Sequence, residues 1–144
     1  MPQLIGSIGG MATRIVNPTA TARAIEDILV SAAEKIVPEL DTALTQAISD
    51  RTYAWPRRTV RSNGQTVGSP RDIIDTGELD SSQSLTRQGR TEWLWRWTAD
   101  HALIVHEGAT LRSGTVLPAR RWTGRAVQQY KPQEKFAREV SRRV

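Results

Sequence analysis

Glu92-Trp93-Leu94-Trp95-Arg96-Trp97-Thr98 is the stretch on which the fold turns. Alternation puts Trp93, Trp95 and Trp97 on one face of a strand, and Leu94, Arg96 and Thr98 on the other, so three indoles need a covering layer. Three large aromatics on one face of a small sheet are expected to pack against a helix as core. Stacking of single-stranded bases beside Arg87, Arg90 and Arg96 is the competing use, and alternation counts against it, because Arg96 falls on the face away from the indoles. Downstream, Ala99-Asp100-His101 suits a tight connection into the apolar run Ala102 to Val105, which is expected to be the partner strand.

The covering helix is legible further upstream. After Asn17-Pro18-Thr19, where Asn17 or Thr19 can cap and Pro18 suits a first turn, Ala22, Ile25, Leu29, Ala32, Ile36, Leu40, Leu44 and Ile48 recur at helical spacing. Pro38 inside this run removes a hydrogen bond and crowds the carbonyl of Glu34, which predicts a kink or short break near Val37. Before the helix, Leu4-Ile5-Gly6-Ser7-Ile8-Gly9-Gly10 reads as a flexible arm, residues 1–17, that needs a surface to lie on. Between helix and tryptophan strand, Thr52 to Arg61 and Gln65 to Gly68 flank Asn63-Gly64, a hairpin turn dipeptide, with Pro56 confining the first strand to an edge or bulge.

Beyond the tryptophan strand, Leu111 to Leu117 reads as a loop around Ser113-Gly114. Val127, Tyr130, Phe136, Ala137 and Val140 then mark a short amphipathic element and a C-terminal helix interrupted at Pro132. The order is arm, helix, four or more antiparallel strands and terminal helix. The expected fold class is therefore α+β: a long N-terminal helix packed on an antiparallel sheet of about four strands, with residues 18–144 as a single domain.

Composition narrows the functional classes. A chain of 144 residues holds one core. No stretch approaches the roughly 18 apolar residues needed to cross a bilayer, and the opening residues lack the cationic start and apolar run of a signal peptide, so a soluble, uncleaved, cytosolic product without a membrane partner is expected. The absence of Cys removes thiolate catalysis and thiolate metal sites, and His101 and His106 alone make an imidazole site improbable. No cofactor or metal is expected. The net charge of +5 raises nucleic acid as a partner. Its distribution is uneven: residues 1–50 carry Arg14, Arg23 and Lys35 against Glu26, Asp27, Glu34, Glu39, Asp41 and Asp50, a net of −3, and the remainder carries +8. Only Lys35, Lys131 and Lys135 of the 20 basic residues are lysine, an arginine preference that suits bidentate ion pairs between surfaces and also follows from a GC-rich genome.

Ile73-Ile74-Asp75-Thr76-Gly77 is the one enzyme-like signal. Asp-Thr-Gly after two apolar residues resembles the active-site loop of retroviral-type aspartic proteases, where two loops share a proton across a dimer. That mechanism needs a second apolar segment bracing the loop, and Leu103-Ile104-Val105-His106-Glu107-Gly108 puts polar groups where the brace should be apolar. The same triplet is a common turn. His106-Glu107-Gly108 lacks the second His of a zinc motif. Arg57-Arg58, Arg120-Arg121 and Arg142-Arg143 fit solvated faces or a helix end. No catalytic residue is expected.

Three spaced segments carry a family resemblance: Asp75-Thr76-Gly77-Glu78-Leu79 with Ser81, Ser82 and Ser84 after it; Ala99 to Gly108; and Pro118-Ala119-Arg120-Arg121-Trp122. In order and spacing the chain, over about residues 20–144, resembles the tail-completion or neck proteins of long-tailed bacteriophages. In that family a long helix precedes a Thr-Gly-x-Leu stretch leading into a strand, a Tyr-Ala-x-x-Val-(Glu/His)-x-Gly strand, and a Pro-x-Arg-Pro-Phe-like segment before the last helix. Two departures stand out: Asp100-His101 precedes Ala102 where Tyr is usual, and Arg121 stands where a second Pro often occurs. The resemblance implies a non-enzymatic virion protein, made in the host cytoplasm, forming a six- or twelve-fold ring of itself in the neck. Its implied partners are a portal, adaptor or head-closure protein above, a tail tube or tail terminator below, and double-stranded DNA in transit without sequence reading. On this basis Asp75, Thr76, Gly77 and Leu79 are expected to shape a turn and Gly108 to end its strand. Trp93, Trp95 and Trp97 are expected to pack the sheet on the helix, and Pro118, Arg120, Arg121 and Trp122 to serve core or interface. The alternatives are a nucleic-acid-binding module using the basic part and the aspartic protease.

Overall fold

The computed structural model describes residues 4–8, 11–15 and 18–144 apart from 57, 62, 75 and 76, with side chains from Thr19 onward. Strands β1 (Leu4–Ile8) and β2 (Met11–Ile15) pair antiparallel from Leu4↔Ile15 to Ile8↔Met11, so these parts of the expected arm form a hairpin. Helix α1 then runs over Pro18–Ser49, 32 residues and about 48 Å of helix.

Of the kink or short break expected near Val37, the break is absent: Pro38 lies inside one continuous helix. Its ring is exposed, and the flanking turns are held from both sides. Val30, Ala32 and Ile36 are buried before it, and Leu44, Ala47 and Ile48 after it. Two side-chain contacts to the C-terminal helices also straddle it, Lys35 to Glu139 and Glu39 to Tyr130. Tertiary packing on the inner face thus offsets the roughly 3 kcal/mol that an interior proline costs a helix.

The strands do not merge into one sheet of four. They form separate two-stranded ladders: β3 (Thr59–Val60) with β4 (Thr66–Val67), β5 (Gln83–Arg87) with β6 (Trp93–Trp97), and β7 (Ala109–Thr110) with β8 (Val116–Leu117). The partner of the tryptophan strand is therefore the upstream Gln83–Arg87, in register Gln83↔Trp97, Leu85↔Trp95 and Arg87↔Trp93. The resemblance had implied a strand following the Thr-Gly-x-Leu stretch, and β5 occupies that place. Ala102 to Val105 is not a strand; it belongs to helix α3 (Ala102–Glu107). Ala102 and Val105 are buried, and Leu103 and Ile104 between them are 72% and 47% exposed, the i, i+3 pattern of a helix face. A four-residue apolar run does not separate helix from strand by period alone.

Both short hairpins use the same turn. Arg61 N–H donates to Gln65 O and Gly64 N–H to Arg61 O, with Gly64 at φ 84°. In β7–β8, Leu111 N–H donates to Thr115 O and Gly114 N–H to Leu111 O, with Gly114 at φ 83°. These are three-residue loops with glycine in the left-handed position, rather than the two-residue Asn63-Gly64 turn. The expected loop at 111–117 is thus the second of these hairpins.

Helices α4 (Trp122–Tyr130) and α5 (Pro132–Arg143) pack along α1. Pro132 bars the preceding residue from helical geometry, so α4 ends and Lys131 turns left-handed at φ 54° before α5 starts on the proline. The core joins Leu44, Ala47 and Ile48 of α1 to Leu79, Val105, Trp122 and Ala126. Among the described residues no helix is long and apolar enough to cross a membrane.

Candidate functional site

The segments that carry the family resemblance meet at one place. Gly77, Glu78 and Leu79, then His101 and Val105, then Arg120 all line a cleft of about 400 Å³ beneath the β3–β4 hairpin. Gly77, at φ 82°, precedes the short helix α2 (Glu78–Ser81), whose Leu79 is buried in the core while Glu78 stays exposed, its Oε2 3.9 Å from His101 Nδ1. Ser81 Oγ donates to Gly77 O and Ser82 Oγ to Leu79 O, tying the turn to itself. Asp75 and Thr76, part of the expected turn and of the protease-like triplet, lie outside the described residues.

The cleft is also lined by cationic and aromatic side chains. Arg71 sits where its backbone pairs with Tyr53, N–H to O in both directions at 2.9 Å, and Arg71 Nη1 donates to Thr59 Oγ1 at 2.6 Å. Arg61, its side chain only 7% exposed, is ion-paired with Asp72. Arg120 follows β8 and is anchored by its backbone N–H on Val105 O at 3.0 Å. The Cζ atoms of Arg71 and Arg120 lie 4.9 Å and 4.4 Å from the Trp55 ring centroid. Burial, and then the neighbouring charges of Arg71 and Arg61, push the Arg120 guanidinium down to about 10, so it is still charged at neutral pH. Trp55, Arg61 and Arg71 carry no signal in the sequence that marks them as a group. They are brought together by the hairpin and by the Tyr53–Arg71 bridge.

Gly108 ends helix α3, not a strand, and its identity is forced by crowding. At φ 76° and ψ 173°, a Cβ there would lie 2.6 Å from Leu117 O and 2.8 Å from Ala119 N. It thereby clamps α3 against the Pro118-to-Trp122 segment. Trp122 is 2% exposed, a core residue, and its ring meets Trp97 edge-on at 5.4 Å and His106 at 4.8 Å. His106 lies between Glu107 Oε1 and Thr123 Oγ1, both at 2.7 Å, and exposed Arg121 pairs with Glu107 at 3.0 Å. Pro118 is half-buried beside them.

The tryptophan strand faces α1. Trp95 Nε1 donates to Asp41 Oδ1 at 2.9 Å, Trp97 Nε1 donates to Gln83 Oε1 at 3.1 Å, and Arg87 lies 4.8 Å over the Trp93 ring. Two of the three indole N–H groups are thus committed inside the chain, and the half-buried rings are not laid out as a stacking platform.

The acidic residues of α1 are also met internally. Arg90 binds Glu26 and Asp27 at 3.2 and 2.7 Å, Arg87 binds Glu34 at 3.0 Å, and Arg125 reaches Asp50 at 3.4 Å. Glu39 accepts from Tyr130, and Asp41 from Gln83 and Trp95. The charge polarity along the sequence is thus largely met by ion pairs within one chain.

No family model, curated protein or solved structure matches this chain.

Proposed function

We propose that this chain is a structural subunit of a bacteriophage neck, a head-to-tail connector that assembles with copies of itself into a ring. The ring would sit between a portal or adaptor and the tail tube and leave a channel for DNA. The observation that carries this proposal is the convergence of Gly77-Glu78-Leu79, His101 and Val105, and Arg120 on one cleft. Three segments that resemble the family only by order and spacing thus share one structural unit. The α+β order supports it further: a long first helix, a turn into a strand after Leu79, and last helices entered through Pro118 to Trp122. Leu103, Val60 and Val116, 72%, 71% and 60% exposed, offer aliphatic surface for neighbouring subunits. In a closed ring such contacts are heterologous and repeat until the rotation closes. DNA in the channel would meet arginines through phosphate alone, without base reading.

Virions assembled without this chain test the proposal. Filled heads and separate tails are expected, and normal infectious particles would refute it. Native mass measurement on the isolated neck is expected to give a six- or twelve-fold ring.

A further inference from the structure

We propose that the cleft between Trp55, Arg61 and Arg120 is a socket for the carboxylate of an acidic side chain presented by a protein segment. Three residues that line it each carry a buried side-chain N–H with no acceptor among the described residues: Trp55 at Nε1, Arg61 at Nε and Arg120 at Nε. A buried donor left unmade costs about 1–3 kcal/mol, so these three groups beside one cleft stand to gain from an acceptor brought to them. A carboxylate is acceptor-only, with about four lone-pair sites, and takes guanidinium N–H groups in fork geometry. Arg120 has no acidic partner among the described residues, whereas Arg61 is already paired with Asp72. Arg120 therefore supplies the uncompensated charge in the cleft lining.

The acidic lining residues decide between ligand classes. Glu78 and Asp80 line the same cleft as the arginines. Two carboxylates there repel a nucleic-acid backbone, whose every repeat is anionic, but admit a peptide that places one acid on the arginine wall and a neutral or basic residue beside Glu78. The β3 strand forms one lip, and Val60 is exposed there, so an extended segment can run along it.

This socket is independent of the ring: binding by the isolated chain neither needs nor demonstrates a neck assembly. The experiment titrates the full chain with acetyl-Gly-Glu-Gly-amide and with its Gln counterpart, and follows the Nε–Hε signals of Arg61 and Arg120 and the indole N–H of Trp55 by nuclear magnetic resonance. Saturable shifts with the Glu peptide and none with the Gln peptide are expected. Arg120→Gln should weaken binding roughly tenfold, with Arg120→Lys, which keeps the charge but loses the fork, in between. An unchanged methyl spectrum of the α1 core in both variants separates lost binding from lost folding. Equal response to the two peptides, or no response to either, overturns the proposal. So does a site that saturates with inorganic phosphate or duplex DNA while the Glu peptide leaves it silent.

Discussion

Lys35 Nζ lies 2.8 Å from Glu139 Oε1, joining α1 to α5 across 104 residues of sequence. Arg142 and Arg143 reach the same carboxylate at 3.0 and 2.7 Å. The hydrogen bond from Lys35, with help from both arginines, holds the Glu139 carboxyl below its ordinary value of 4.5. A depressed acid contributes stability above its unfolded-state pKa, and that contribution is lost as pH falls through the lower folded value. Glu139→Gln should therefore lower the unfolding midpoint at pH 7, and by less at a pH well below 4.5. Equal losses at both would show that the charge is not what matters.

Pro38→Ala should stabilise the protein. The ring is exposed, the helix is already continuous, and alanine restores the missing N–H to Glu34 O. Relief of the helix penalty, less the entropy regained by the unfolded chain, leaves a gain of about 1–2 kcal/mol. Urea denaturation measures it, and a loss would mean that the proline contributes packing of its own.

Gly108→Ala should be severe, roughly 3–5 kcal/mol, because a glycine-only backbone conformation and a collision with Leu117 and Ala119 backbone add together. Gly124, in α4 with open space around its Cβ position, is the matched control. There alanine should be neutral or stabilising by up to about 1 kcal/mol. Thermal unfolding of the two variants side by side separates local strain from general intolerance.

These residues show where the sequence was legible. The helical stripe of α1 could be read because it persists over many turns, and the tryptophan strand because alternating indoles admit one period. Ala102 to Val105 could not, since four apolar residues satisfy either period, and only the burial of Ala102 and Val105 with Leu103 and Ile104 exposed decides. The sheet was overcounted because Thr59–Val60 and Ala109–Thr110 are too short to recruit a third strand. The cleft was invisible because Arg61, Arg71 and Arg120 are ordinary surface residues by spacing, and only the chain's path over Trp55 gathers them.

Tyr53 should govern part of the alkaline transition. Its hydroxyl donates to Ala47 O at 2.5 Å, and burial pushes its pKa from 10.0 to about 12. A raised acid leaves stability intact below pH 10 and removes it as pH climbs towards 12, because the unfolded state ionises first. Arg120, lowered from 12.5 to about 10, acts with the opposite sign over the same range. Tyr53→Phe should cost about 1 kcal/mol at pH 7, through the lost hydrogen bond, and flatten the decline above pH 10. A decline unchanged by the substitution would assign it to other groups.

The internal pairing of the α1 acids sets how copies of this chain meet in solution. With Glu26, Asp27, Glu34 and Asp50 already bound to Arg87, Arg90 and Arg125, each molecule turns an excess of one sign, +5 overall, toward its neighbours. Like-charged particles repel at long range, and added electrolyte shortens that range to about 8 Å at physiological ionic strength. Self-association should thus rise with salt, a dependence that sedimentation at graded sodium chloride would reveal. Assembly built on ion pairs between copies would fall instead.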